Sequence, residues 1–203
     1  MANSGCSRVT FFQTLQNAFY FQVGTETDVD EDTFRCSPTV STDYLVRSMD
    51  SKYLLLNAGQ FQVQNLNDDQ LRHLDCKFKI QTYNESSGEN GRGKPAILYV
   101  KTDNKNIVVC CSETQKHAIY PEEMSDLPKH IGNPTHKALF YMKECTASHI
   151  FMFESSEHKS EFLGFEPSDD PSLKKLVLHR KVDEVDESCR MCLVVADCDS
   201  RMS

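Results

Sequence analysis

The sequence predicts an all-β fold, and three observations lead there. Apolar residues come in runs of about four to eight, too short for globular helices and right for strands. Most runs alternate with polar residues or end in clusters of Gly, Pro, Asn, Asp and Ser that turn a chain between strands. The runs recur about every dozen residues, which makes about twelve strands with no convincing helix, and a closed barrel is the economical way to protect so many short edges. Periodicity alone leaves barrel and sandwich both open.

Residues 1–43 differ in character from the rest. An apolar patch from Phe11 to Val23 is followed by an acidic run, and across the whole segment Arg8 and Arg35 oppose Glu26, Asp28, Asp30, Glu31, Asp32 and Asp43. Such a stretch buries little surface and reads as an exposed linker, with Phe19 to Val23 as a weak strand pairing with the main body. Residues 44–203 are expected to fold without it. From Tyr44 the pattern is periodic. Residues 52–57 and 61–66 form a hairpin turned at Ala58-Gly59-Gln60. Residues 66–75 can start a short helical turn capped by Asn67 or Asp68. In 76–83, Cys76, Phe78, Ile80 and Thr82 share one face with the lysines on the other, so one side is expected in the core and the other in water.

Residues 84–94 read as a polar loop. Gly88 and Gly93-Lys94 have the spacing of a phosphate-binding loop, but Pro95 stands where the magnesium-binding hydroxyl would be, so a hairpin loop is the better reading. Residues 96–101 and 106–112 form the next hairpin, with Cys110 and Cys111 on opposite faces. A strand at 116–120 precedes a long connection over 121–135, where Pro121, Pro128 and Pro134 leave room for one helical turn. The strand at 137–144 leads into three more at 150–153, 162–165 and 173–178, and 189–196 is the last.

Charge and cysteine usage bound the function. A net charge of -8 argues against a nucleic acid or an anionic membrane as main partner. The N-terminal apolar patch is broken by Gln13, Gln16 and Asn17, a poor secretory signal, and no stretch is long enough to span a membrane; synthesis in the cytosol is expected. Nine cysteines then read as free thiols, with no cofactor, metal or essential disulfide expected. Cys189-x-x-Cys192 enters a strand and not a helix, and a second such pair to complete a zinc site is absent, so free thiols remain the favoured reading. Seven histidines show no metal-binding or triad spacing, and an enzyme is not expected. Asp169, Asp170, Asp183, Glu184, Asp186 and Glu187 read as turn surface, with Lys77, Lys79, Lys94, Lys101 and Lys105 as opposite charge.

Several segments, in this order and spacing, resemble one family: L-Q-N-A-F-Y-F near residue 20, V-S-T-D-Y-L-V-R-S-M-D-S-K, G-R-G-K-P, K-H-A-I-Y-P-E-E-M, F-E-S-S-E-H-K-S-E-F-L-G-F-E and the late L-K-K-L-V-L. The sequence is similar to the interleukin-1 cytokines, and most to their interleukin-18 branch. The resemblance implies a β-trefoil of about twelve strands at 44–203 behind a prosegment at 1–43. It further implies a pro-inflammatory cytokine precursor made in the cytosol and cut by an inflammatory caspase between Asp43 and Tyr44. The product would be secreted without a signal peptide, as a monomer that binds interleukin-18-type receptor ectodomains and a soluble binding protein. Among the other acids, Asp28, Asp30 and Asp32 lie in a dense acidic run and Asp50 lies close to the predicted first strand, so Asp43 is the preferred site. The competing reading is an intracellular trefoil that binds a glycan or protein, against which stand the lack of a repeated aromatic motif in each third and of any tryptophan.

Overall fold

A computed structural model describes residues 9–15, 18–23, 34–38, 42–85, 91–102, 105–112, 115, 117–145, 149–180 and 187–196. Its strands are β1 (Val9–Leu15), β2 (Ala18–Val23), β3 (Phe34–Cys36), β4 (Tyr44–Ser48), β5 (Tyr53–Asn57), β6 (Gln60–Gln64), β7 (Phe78–Glu85) and β8 (Lys94–Lys101). They continue with β9 (Asn106–Cys111), β10 (Ile119–Met124), β11 (His130–Ile131), β12 (Phe140–Glu144), β13 (Ile150–Ser155), β14 (Glu161–Pro167), β15 (Lys174–Arg180) and β16 (Met191–Val195). The chain divides into two compact units, residues 1–31 and 32–203. In the first, β1 and β2 form an antiparallel hairpin, so the strand expected at Phe19 to Val23 takes Val9–Leu15 as its ladder partner.

In the second unit, fourteen strands among the described residues join one sheet through antiparallel pairings. Local chemistry explains many of the joints. Asn57 pairs with Gln60, and between them Ala58 (φ 47°) and Gly59 (φ 73°) take the left-handed conformations that a two-residue hairpin needs. The Asn67 side chain accepts from the Gln70 N–H at 2.9 Å and the Gln70 side chain accepts from the Asn67 N–H at 3.0 Å, a reciprocal cap on the 3-10 turn Gln70–Arg72. A second turn, Leu74–Cys76, takes Cys76 out of the strand predicted for it. The helical turn expected after Pro121 is instead strand: Ile119–Met124 pairs along β9, with Pro121 opposite Val109. Proline is tolerated here because β10 is an edge strand, pairing on one side only.

Two apolar clusters share the strands between them. Phe78, Leu98, Val100, Val109, Phe140, Phe153, Leu163, Leu178 and Met191 belong to the first, the barrel interior. Phe34, Tyr83, Ile97, Tyr99, Val108, Ile131, Leu139 and Tyr141 form the second. β8 and β9 lie between the clusters, which is why Ala96 to Val100 are buried without interruption and why Cys110 faces the second cluster and Cys111 the first. The face of β7 expected to meet water is therefore largely covered: Gln81 and Tyr83 are buried, and the Lys79 side chain is 16% exposed. The cover comes partly from β3, which antiparallel pairing sets between β7 and β11.

Candidate functional site

The structure places Asp43 and Tyr44 where the segment around β3 enters the barrel. β4 begins at Tyr44 and pairs with β16 from Tyr44↔Val195 to Ser48↔Met191, while Tyr44 also faces Phe78 of β7. Asp43 is the residue just outside this ladder. Its carbonyl accepts the Ala196 N–H at 2.8 Å, and its carboxylate meets the Lys79 ammonium at 2.5 Å, with side-chain exposures of 31% and 16%. The peptide bond from Asp43 to Tyr44 is thus half-buried and gripped from both sides. Asp50 is also occupied: Lys174 lies 2.7 Å from its carboxylate and Ser48 donates to it at 2.7 Å. The Lys174 hydrogen bond holds its carboxyl below the usual range.

Upstream, residues 34–38 depart from the exposed linker expected for them. Phe34 is fully buried, and its ring meets Tyr141 edge-on at 6.5 Å. Cys36 donates its N–H to Lys129 O at 3.0 Å, and Ser37 donates its N–H to Thr82 O at 2.9 Å. The buried Gln81 amide donates to Ser37 O at 2.9 Å, and the Ser37 hydroxyl donates to the Asn84 side-chain Oδ1 at 3.0 Å. Sequence reasoning missed this strand because one phenylalanine in a polar, acidic run has no local period. The signal present was an isolated aromatic followed by Cys and Pro, short of any strand pattern.

A cavity of about 450 Å³ opens beside the junction, with Pro38, Tyr44, Ile80, Met142, Phe151 and Leu193 among its lining residues. Ser37 and Pro38 stand on its wall together with Tyr44, so the cavity is bounded by residues from both sides of the Asp43–Tyr44 bond. A separate cleft of about 820 Å³ lies among β6, β10 and β15. There His117 Nδ1 is 3.2 Å from Glu161 and His179 Nδ1 is 3.3 Å from Glu166. Among the described residues no Ser, Thr or Cys lines this cleft.

The remaining candidates are largely structural. Cys189 is buried, close to Gly164, while Cys192 receives the Arg47 guanidinium at 3.7 Å, so the two thiols serve different surroundings. Burial pushes the thiols of Cys110 and Cys111 up to about 12, which keeps both protonated and inert. The seven described cysteines are free thiols, and among the described residues no group of three or more His, Cys, Asp or Glu gathers as a metal site. The F-E-S-S motif ties the fold together. Buried Glu154 accepts from Arg92 at 3.2 Å and from the Ser160 N–H at 3.1 Å, and Ser156 receives the His136 N–H at 2.9 Å. Arg92 also stacks 4.2 Å over Tyr141, and next to it Gly93 has φ 109°, where a Cβ would lie 2.6 Å from Met142 O. Lys94 then opens a strand, so no helix follows the glycines to receive a phosphate. Asp170 caps its own turn by accepting the Ser172 N–H at 2.8 Å, Lys105 pairs with Glu123, and Glu187 opens a 3-10 turn. Asp28, Asp30, Asp32, Cys6, Cys198, Gly88, Asp183, Glu184 and Asp186 lie outside the described residues.

No family model matches the sequence. It is 31% identical over 100 residues to interleukin-18 of Gallus gallus, a stretch covering 47% of this chain and 50% of that protein, so the match spans about half of the relative's length. Over that stretch the chain is similar to an interleukin-18 cytokine. The fold agrees: chicken interleukin-1 beta superposes with a TM-score of 0.56 at 17% identity, over 79% of this chain and 98% of the cytokine. A type II water-soluble chlorophyll-binding protein matches at a TM-score of 0.52 and 12% identity, over 78% and 93%, a likeness of fold alone. The architecture is all-β, a many-stranded sheet resembling the trefoil-like fold of the interleukin-1 cytokines. Among the described residues no helix is long and apolar enough to cross a membrane.

Proposed function

We propose that the chain is a pro-inflammatory cytokine precursor, non-enzymatic itself, that an inflammatory caspase activates by cutting between Asp43 and Tyr44. In this reading residues 1–43 are the prosegment and 44–203 the cytokine domain. The product leaves the cytosol without a signal peptide and acts as a monomer on interleukin-18-type receptor ectodomains, with a soluble binding protein as a competing partner. One observation carries the reading: residues on both sides of the Asp43–Tyr44 bond bound the same cavity, so removing the upstream segment would uncover surface beside the new N-terminus. A cut therefore changes what the surface offers without chemistry in the product. The strand start at Tyr44 also suits this position, because the bond precedes the β4 ladder and its hydrolysis leaves that ladder whole.

Caspase digestion followed by N-terminal sequencing, with receptor-ectodomain binding measured before and after, tests the proposal. The expected result is a terminus at Tyr44 and binding that appears only after the cut. A different terminus, or a precursor that binds as tightly as the product, would refute it. Binding of the 44–203 fragment to a glycan array, with none to receptors, would favour the intracellular binding module.

A further inference from the structure

The seat of Phe34–Cys36 is built like a peptide-binding site. A strand from outside the barrel lies between β7 and β11, pairing with both: Phe34↔Glu85, Arg35↔Asn84 and Cys36↔Tyr83 on one side, His130↔Arg35 and Ile131↔Phe34 on the other. One aromatic anchor, Phe34, fills a fully enclosed place among Tyr83, Tyr141, Ile131 and Leu139. The polar groups of the seat are specific to an extended backbone. Lys129 O and Thr82 O each accept a backbone N–H from the segment, and the amide of Gln81, itself 3% exposed, donates to Ser37 O. An empty seat would take the Ser37 acceptor from the buried Gln81 amide and leave the aromatic cluster open, a cost that favours keeping it filled.

In every one of these contacts the segment's residue lies upstream of the Asp43–Tyr44 bond and its partner downstream. Hydrolysis adds water across that bond, leaving a carboxylate on Asp43 and an ammonium on Tyr44, and it breaks none of the hydrogen bonds in the seat. The ion pair from Lys79 to Asp43 and the bond from Ala196 N–H to Asp43 O also belong to the upstream piece. We propose that the slot between β7 and β11 is a strand-binding site for the chain's own residues 34–37, and that it retains the upstream fragment noncovalently after the backbone is cut. Its biological meaning rests on the activation reading above. What the cut removes is the tether. Before it, the strand is present at the high effective concentration of a short linker; afterwards occupancy depends on protein concentration, and dilution empties the slot. Cleavage and unmasking are then two separate steps.

The test uses the full chain with a thrombin site inserted between Thr39 and Val40, so it does not depend on whether a caspase accepts Asp43. After complete cleavage, native mass spectrometry and size-exclusion chromatography should find the fragment bound one to one at high protein concentration and lost on dilution. In the cut protein, the amides of Cys36 and Ser37 should stay protected from hydrogen exchange. Phe34→Ala should weaken retention by at least about a hundredfold, the cost of deleting a fully buried phenylalanine. Release of the wild-type fragment as readily as that of F34A would overturn the proposal, as would exchange of both amides at free-peptide rates. Should F34A fail to fold, the wild-type exchange measurement decides alone. Retention without caspase cutting at Asp43 would sink the activation reading and leave the slot standing; cutting at Asp43 with immediate release would do the reverse.

Discussion

Replacing Lys79 by methionine should speed cleavage at Asp43. A caspase must take the Asp43 side chain into its own pocket and hold several flanking residues extended, but here that carboxylate is engaged by Lys79 at 2.5 Å and its carbonyl by Ala196 N–H at 2.8 Å. Tyr44 onward is already in the β4 ladder. Cutting must therefore go through a local opening, and the observed rate is the rate on the open form multiplied by its population. The ion pair is half-buried, so it is worth about 1 kcal/mol after allowance for solvent screening, and losing it enlarges the open population about fivefold. Methionine keeps the length and apolar stem of lysine, so packing on β7 changes little. The assay is the initial rate of caspase cleavage followed by intact mass, with a synthetic peptide of residues 37–50 as the unfolded reference. Full-length K79M should be cut about five times faster than the native chain, and both more slowly than the peptide. Equal rates for K79M and the native protein would refute the argument that this contact guards the bond.

Three further outcomes follow from the geometry. Burial, aided by neighbouring Lys137, lowers the His136 pKa, and its Nδ1 accepts the Ala138 N–H at 3.2 Å. The unfolded chain therefore takes up this proton first, so stability should fall as pH drops below about 6.5 and on through the lower folded pKa; urea titrations across that range should show a flatter slope for His136→Asn. Glu154→Gln should cost about 2 kcal/mol, less than a fully buried pair because the Arg92 side chain is 35% exposed, read as a lower midpoint in chemical denaturation. Iodoacetamide at mildly alkaline pH should label exposed Cys36 well before Cys110 and Cys111, whose thiols stay protonated; equal labelling in the native state would contradict their burial.

What the sequence by itself determined is the set of features written in neighbouring residues. The Gly59 hairpin, the cap at Asn67, the opposed faces of Cys110 and Cys111 and the three strands after Cys145 all depend on alternation or turn chemistry within a few positions, and each stands where the pattern put it. Tertiary structure decided which faces met water. The lysine face of β7 reads as exposed because Lys79 and Gln81 are polar, yet it is covered by a strand that comes from more than forty residues upstream, and no property of 76–83 signals that partner. Pro121 reads as a breaker because proline lacks a donor, and it lies within a strand because that strand's other edge needs none. Phe34 is the sharpest case. In its acidic run it resembles any linker residue, and only the cavity left between β7 and β11 makes it core, because burial is a property of the partner surface as much as of the side chain.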